Sequence, residues 1–423
     1  VYAEVPITEK PETKTPSNES QQFVGKKNSL GRSTVKTLKY FVAFLAIPFL
    51  FVFSKMVPIN PKKVMFMTYS NDYTCNPKYI CEELLRRDSG CKIIWAVDKK
   101  DSKNIFPQGI TLVKRYSLAF FYAQASSKVW VDNALNFLWA WFPKKRGQVL
   151  LNTWHGSMGL KRIDKQNVQR KRWKRKAQRV GELTDYCISN SLFEDEVFRE
   201  THWPKTTILP YGHARNDALI NSEPSFVVTL KKRACVQYGF SENTKIVLYA
   251  PTFRESNSLE FYNVDYERLC SGLAKRFGGQ WLVMARHHYS NKISKEASAL
   301  LQNKEWVIDV TDYTDMQELL LIADVGVTDY SSWICDFVLT SKPAFIYASD
   351  LEEYRSGRGF YYPLESTPFP LATNNDILAT SIESFDQEKY EKNCSQFLLD
   401  RGSYEKGTAS KRVVDDILQI CEV

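Results

Sequence analysis

From about residue 62 onward the chain alternates short β-branched and aromatic runs with helical stretches, and this alternation limits the fold more than any other feature. KVMFMTY precedes NPKYICEELLRR, KIIWAV follows, SLAFFYAQASS leads into KVWVDN, and QVLLNTW and YCISNS precede LFEDEVFRE. Strands separated by helices of roughly 10–15 residues read as βαβ units around a parallel sheet. A second series begins near 226 and runs through KIVLYAPTF, YERLCSGLAKRF, WLVMARHH, EWVIDV, MQELLLIADVGVTD, WICDFVLTS and PAFIYAS. Two consecutive doubly wound α/β domains are expected, joined near PYGHARND and the polar NSEP that follows it, with no internal sequence repeat. Ligands in such folds bind at the carboxyl ends of the strands, here facing an interdomain cleft.

The 423 residues suit two or three domains at roughly 100–200 residues each. Residues 1–37, rich in Pro, Ser, Thr, Glu and Lys, read as a disordered tail. Tyr40–Ser54 is uncharged, aromatic and flanked by lysines, so 38–58 is expected to associate with a bilayer. It is shorter than the about 20 apolar residues of a full span and contains Pro48. Residues 59–222 then form an amino-terminal acceptor and membrane domain, and 223–423 a carboxy-terminal donor domain.

Hydrophobic residues at 43% and charged residues at 25% exclude collagen-like, coiled-coil and wholly disordered chains. Lys plus Arg exceeds Asp plus Glu by 57 to 48, and the resulting +9 favours an anionic partner: phosphate, lipid headgroup or nucleic acid. The nine cysteines are scattered with no zinc spacing, as expected of core thiols in a reducing compartment. Because the first residue is Val1 rather than Met, the chain is expected to be a processed product or a fragment.

His155 follows the strand-like QVLLNTW and opens a loop of Gly156, Ser157, Met158 and Gly159 ahead of Lys161 and Arg162. A histidine at a strand end, beside a glycine-bearing loop and two cations, is placed as a general base next to an anion site; a solvated loop histidine is the bland alternative. His287 and His288 follow WLVMAR, which ends in Arg286, and Arg254 follows KIVLYAPTF, so cationic groups gather at strand ends of one domain and suit a pyrophosphate. In VTDYSSWICDF, Asp329, Ser331 and Ser332 stand at a strand-to-helix turn, as helix caps or as phosphate ligands, with Asp336 one turn further on. Neither GxGxxG nor GxxxxGK[ST] occurs, which disfavours dinucleotide redox and triphosphatase chemistry. KRIDKQNVQRKRWKRKAQR, from 161 to 179, contains Asp164 as its sole acid and embeds Trp173 among Arg170, Lys171, Arg172, Lys174, Arg175 and Lys176. Such a helix suits an anionic lipid surface or a polyanion, and nothing resembles a nucleic-acid-reading module.

Taken in order, NPKYICEELL, NTWHGSMGLKRI, GHARND, YAPTFRE, Arg286 to His288, VTDYSSWICDF, KPAFIYASDLEEYRSGRGFYY and PFPLATNNDIL resemble the CDP-glycerol glycerophosphotransferase family of teichoic-acid primases, polymerases and capsule-polymer transferases. The resemblance covers roughly 60 to 420 and implies a GT-B-like pair of Rossmann-type domains. It also implies transfer of an alditol phosphate from a CDP-alditol to a hydroxyl of a lipid-linked or polymer acceptor, with release of CMP. By motif, His155 takes the place of the catalytic histidine, with Gly156, Ser157 and Lys161 in the loop near the acceptor. Arg254, Arg286, His288, Asp329, Ser331, Ser332 and Asp336 take donor-binding positions. Departures are Ser157-Met158, where relatives often carry Thr-Pro, and Tyr289 in place of a Pro.

No tightly held cofactor is expected, and a loosely bound Mg²⁺ on the pyrophosphate stays open. The expected location is the cytoplasmic face of a bacterial membrane, peripheral, monotopic or single-span. Rival readings are a CDP-ribitol transferase, a nucleotide-sugar glycosyltransferase of the same fold, and a non-catalytic polyanion- or membrane-binding protein.

Overall fold

The computed structural model describes residues 48–98, 106–136, 142–163, 171–252, 263–287 and 305–422. The tail 1–37 and positions 38–47 of the apolar segment lie outside the described residues. A short helix covers 48–56 and exposes Phe49, Phe51, Val52 and Met56. Among the described residues, no helix is long and apolar enough to cross a membrane.

The first sheet contains β1 (Asn60–Met67), β2 (Lys92–Val97), β3 (Ile110–Lys114), β4 (Ser127–Asp132), β5 (Val149–Asn152), β6 (Tyr186–Ser189) and β7 (Thr207–Pro210). Its seven strands run in the order β3-β2-β1-β4-β5-β6-β7, every pair parallel. The second sheet contains β8 (Lys245–Tyr249), β9 (Trp281–Ala285), β10 (Val307–Asp309), β11 (Val325–Thr328), β12 (Ala344–Tyr347) and β13 (Leu371–Ala372). Its order, β10-β9-β8-β11-β12-β13, is also parallel throughout. Both sheets therefore share one winding, in which strand order reverses between β1 and β4 and again between β8 and β11. Such reversals leave a crevice outside the strand ends, where loops diverge and ligands bind. The winding repeats although the sequence does not.

Local chemistry sets the element boundaries. The helix Pro224–Tyr238 begins with its proline in the first turn and stops at Gly239, whose φ of 74° lies in the left-handed region. Asp265 caps Tyr266–Phe277 by accepting from the Arg268 amide. The buried strands are continuous apolar runs, such as Val64–Met67 and Ile246–Tyr249, since helices cover both faces of each sheet. Of the nine cysteines, eight are buried and Cys91 is half-buried, all as free thiols.

Assigning all of 223–423 to the second half needs correction at its end. The helix Ala409–Cys421 packs Val413, Val414, Ile417 and Cys421 into the first sheet's core, beside Val64, Phe66 and Ile80. Apolar side chains at three- and four-residue spacing give this helix one oily stripe, and the first sheet supplies the surface that buries it.

Candidate active site

His155 lies just beyond β5, next to the first strand-order reversal. Its Nδ1 stands 2.7 Å from the backbone oxygen of Asn133, which follows β4. A carbonyl can only accept, so this contact places the ring proton on Nδ1 and leaves the Nε2 lone pair available for a proton. Two further rings hold the imidazole, Trp154 at 4.4 Å and Tyr69 at 5.1 Å between centroids. Tyr69 follows β1, and its amide donates to the Asn133 side chain at 2.9 Å, so loops after β1, β4 and β5 meet at one histidine. His155 as a residue is exposed, while protein atoms crowd around its imidazole. That crowding, and then the positive charges of Arg215 and Lys161, push its pKa down to about 4. The imidazole is therefore neutral at physiological pH, as a proton acceptor must be.

The loop carrying His155 is held in an unusual backbone conformation. Trp154 and Met158 adopt φ of 50° and 36°, left-handed values that cost non-glycine residues about 1–3 kcal/mol each. The surrounding bonds enforce it. Asn76 donates to the Thr153 and Trp154 carbonyls at 2.9 and 3.2 Å, and accepts from the Arg215 amide at 3.1 Å. Arg215 Nη2 donates to the Gly156 carbonyl at 2.7 Å, and Asn190 donates to the Ser157 hydroxyl at 2.8 Å. A Cβ on Gly156 would stand 2.8 Å from the Trp154 indole nitrogen, which explains the glycine. Ser157 is thus a buried loop anchor rather than an acceptor contact.

The end of this loop clamps onto the second half of the chain. Lys161 forms an antiparallel bridge with Phe360, flanked by amide bonds from Arg162 to Gly359 and from Tyr361 to Leu160. Lys161 Nζ reaches the Thr252 hydroxyl at 3.3 Å, just ahead of Arg254. The structure therefore turns Lys161 toward the loop after β8, in the second half of the chain. On the opposite wall, Lys78 pairs with Asp315 and, at 3.0 Å, with Glu318.

Asp336 needs the largest correction. It is 2% exposed, and its carboxylate accepts from Arg215 Nε at 2.9 Å, Arg215 Nη2 at 3.3 Å, Asn216 at 2.9 Å and Gln317 at 3.2 Å. Burial alone would raise its pKa, but the Arg215 guanidinium overrides that and holds the carboxyl below its usual range. A carboxylate saturated by four donors has no role left toward a nucleotide. It joins the Arg215 loop to the second sheet instead. Asp329 is likewise buried, accepting from the Thr252 and Tyr330 amides, so it ties the loop after β8 to the loop after β11.

Arg286 donates to the carbonyls of Tyr313 and Thr314 at 2.9 and 3.4 Å and stands 2.9 Å from the Met316 sulfur. It fixes the loop ahead of the helix Met316–Ile322 and stays within electrostatic reach of Tyr69 and Asp72 across the crevice. Ser331 and Ser332 are half-buried at the start of the five-residue helix Trp333–Phe337, and Ser332 forms no side-chain cap. The capping role expected of that serine is not adopted. Arg254, His288 and Arg170 lie outside the described residues, as do the side chains of Lys171 and Arg172. Trp173 is half-buried on the helix Lys171–Leu183, with Lys174 and Arg175 exposed and Lys176 half-buried beside it. Among the described residues, no three His, Cys, Asp or Glu side chains gather as a metal site requires.

Sequence reasoning missed Asn76, Asn133, Tyr69 and Arg215. Asn76 and Arg215 sit inside NPKY and GHARND, short polar motifs at helix starts, and an Arg-Asn pair bound for the interior was the available signal.

A sequence model of the CDP-glycerol:poly(glycerophosphate) glycerophosphotransferase family matches residues 49–419. The chain is 29% identical over 377 residues to a teichoic acid poly(glycerol phosphate) polymerase of Bacillus spizizenii, covering 86% of this chain and 93% of that one. A Staphylococcus epidermidis protein of the same description is 30% identical over 373 residues, which is 84% of this chain and 50% of the relative. Among solved structures, a variant of the wall teichoic acid polymerase TagF soaked with CDPG superposes with a TM-score of 0.79 at 28% identity, covering 92% of this chain and 97% of that one. With the matched motifs spread over both sheets and the loops between them, the chain belongs to the CDP-glycerol:poly(glycerophosphate) glycerophosphotransferase family.

Proposed function

We propose that the protein transfers glycerol phosphate from CDP-glycerol to a hydroxyl of a teichoic-acid acceptor and releases CMP. The observation that carries this reading is His155: neutral, oriented through Nδ1 by the Asn133 carbonyl, and lying where the loops after β1, β4 and β5 meet, six residues before the Lys161–Phe360 bridge to the second half of the chain. An acceptor hydroxyl beside Nε2 would give up its proton as its oxygen attacks the distal phosphorus of the pyrophosphate. The bond from that phosphorus to the bridging oxygen breaks, and CMP leaves with the electron pair. The incoming anion offsets Arg215 and Lys161, which raises the histidine's basicity when the donor is bound. Such a transfer depends on positioning and charge stabilisation more than on covalent help, and the strained, heavily bonded loop is suited to positioning.

By motif resemblance, Arg254, His288, Ser331 and Ser332 hold the donor. The ties from Asp329 and Lys161 to Thr252 support that assignment, because they hold the described end of the loop after β8, two positions before Arg254 in sequence. We further assign the protein to the cytoplasmic face of a bacterial membrane. The exposed Phe49, Phe51, Val52 and Met56 and the cationic helix Lys171–Leu183 support peripheral attachment.

The test is CMP release from the purified protein given CDP-glycerol, CDP-ribitol or a UDP-sugar, with a detergent-solubilised lipid-linked acceptor. Acceptor-dependent CMP from CDP-glycerol, lost in His155→Ala, is expected. Product from the UDP-sugar, or donor binding without turnover, would overturn the proposal.

A further inference from the structure

A groove of about 580 Å³ opens between the cationic helix Lys171–Leu183 and the segment leading from residue 200 into β7. Trp173, Lys174 and Gln178 line it from the helix, and Glu200, His202 and Lys205 face them. The helix lies close to this segment at Gly181, where a Cβ would come within 2.0 Å of the His202 carbonyl. Thr206 reinforces the approach by donating to the Gly181 carbonyl at 3.3 Å. The wall of the groove is continuous with the support of the catalytic ring. Trp173 meets His202 at 6.0 Å, His202 meets Trp154 at 6.0 Å, and Trp154 meets His155 at 4.4 Å between centroids.

Its chemistry is mixed in a particular way. Lys174 and Lys205 are exposed ammonium groups suited to phosphate, while Glu200 and Gln178 can accept from hydroxyls. Trp173 and His202 add an aromatic edge against which the C–H groups of a polyol can pack. A ligand that alternates phosphates with hydroxyl-bearing carbons satisfies all three. Glu182 and Glu200 stand among the cations, so a ligand with hydroxyls between its phosphates matches the lining better than a uniformly anionic surface.

We infer that this groove is an acceptor subsite, which holds the polyol-phosphate segment behind the attacking hydroxyl while the chain end reaches His155. The inference rests on the transfer reaction proposed above. It differs from membrane attachment because it assigns a soluble ligand to one groove rather than a bilayer to a charged face.

Steady-state CMP release from the full chain tests it, with a lipid-free glycerol-phosphate oligomer and CDP-glycerol each varied in turn. The variants are Trp173→Ala and the double substitution Lys174→Ala with Lys205→Ala, the latter at exposed positions. Both are expected to raise the oligomer KM about tenfold while the CDP-glycerol KM stays within about twofold. An unchanged oligomer KM overturns the inference, as does loss of binding to phosphatidylglycerol vesicles without any change in oligomer KM. If the unsubstituted protein releases no CMP from CDP-glycerol, the transfer reading itself fails. Calorimetry with the oligomer alone then decides the groove: binding lost in both variants supports it, and equal binding overturns it.

Discussion

Replacing Asp336 by Asn separates a donor ligand from an internal clamp. In the structure Arg215 is 3% exposed and Asp336 2%, so the substitution leaves a guanidinium charge in the interior without its counter-ion. It also turns an amide NH₂ toward donors from Arg215, Asn216 and Gln317. Removing one partner of a buried ion pair costs about 3–5 kcal/mol. Glu405 reduces that cost. It shares Asn216 with Asp336, and burial, together with the Asp336 charge, raises its pKa to about 8. Once the Asp336 charge is gone, Glu405 ionises more readily and partly balances Arg215, so the expected loss is near about 3 kcal/mol. That is a large share of the about 5–15 kcal/mol by which domains are stable. Urea denaturation followed by far-ultraviolet circular dichroism measures it, alongside the CDP-glycerol KM. The expected result is a clear fall in midpoint and in kcat, because Arg215 also holds the Gly156 carbonyl, with little change in donor KM. A stability within about 0.5 kcal/mol of the parent, combined with a tenfold rise in donor KM, would refute the clamp and restore Asp336 as a nucleotide ligand.

Three further outcomes follow from the same geometry. Because His155 must be neutral to accept a proton and its pKa is near 4 in the free protein, kcat/KM should fall only as pH drops toward about 4. Lys161→Ala should move that limb upward by removing a positive charge, and an inflection at the ordinary histidine value would count against the assignment. Burial raises the Glu194 pKa to about 8, so its contribution to stability is fully present below its unfolded value of 4.5 and is lost as pH rises through about 8. Urea midpoints for Glu194→Gln at about pH 5 and about pH 9 should differ less than those of the parent, and equal slopes would dismiss the buried proton. Gly156→Ala should displace the Trp154 indole from a contact of 2.8 Å and lower kcat by about tenfold or more while the protein stays folded; an unaltered kcat would show that the loop tolerates the methyl.

Much of the architecture was legible because its causes are local. Strands such as Val64–Met67 are apolar runs that only a sheet covered on both faces accommodates, and Pro224 and Gly239 mark helix ends through their own backbone preferences. His155 was legible for a related reason: a strand followed by a glycine-bearing turn carries its next side chain to the sheet's edge, where ligands bind.

The charged residues of the site were not legible in the same way. Asp336 and Asp329 stand in the motif beside Ser331 and Ser332, and the chain alone presents all of them as candidates for one ligand. Folding brings Arg215, 121 positions away in sequence, against Asp336, and the Thr252 amide, 77 positions away, against Asp329. Whether a carboxylate binds a substrate or an internal cation depends on which partner arrives once water is excluded, and that partner is set by long-range packing. The return of Ala409–Cys421 to the first sheet belongs to the same class. The sequence by itself determined the two parallel sheets, their family and the histidine at a strand end; only the tertiary structure decided which polar residues face the crevice and which hold its walls together, because desolvation and distance are properties of the packed chain.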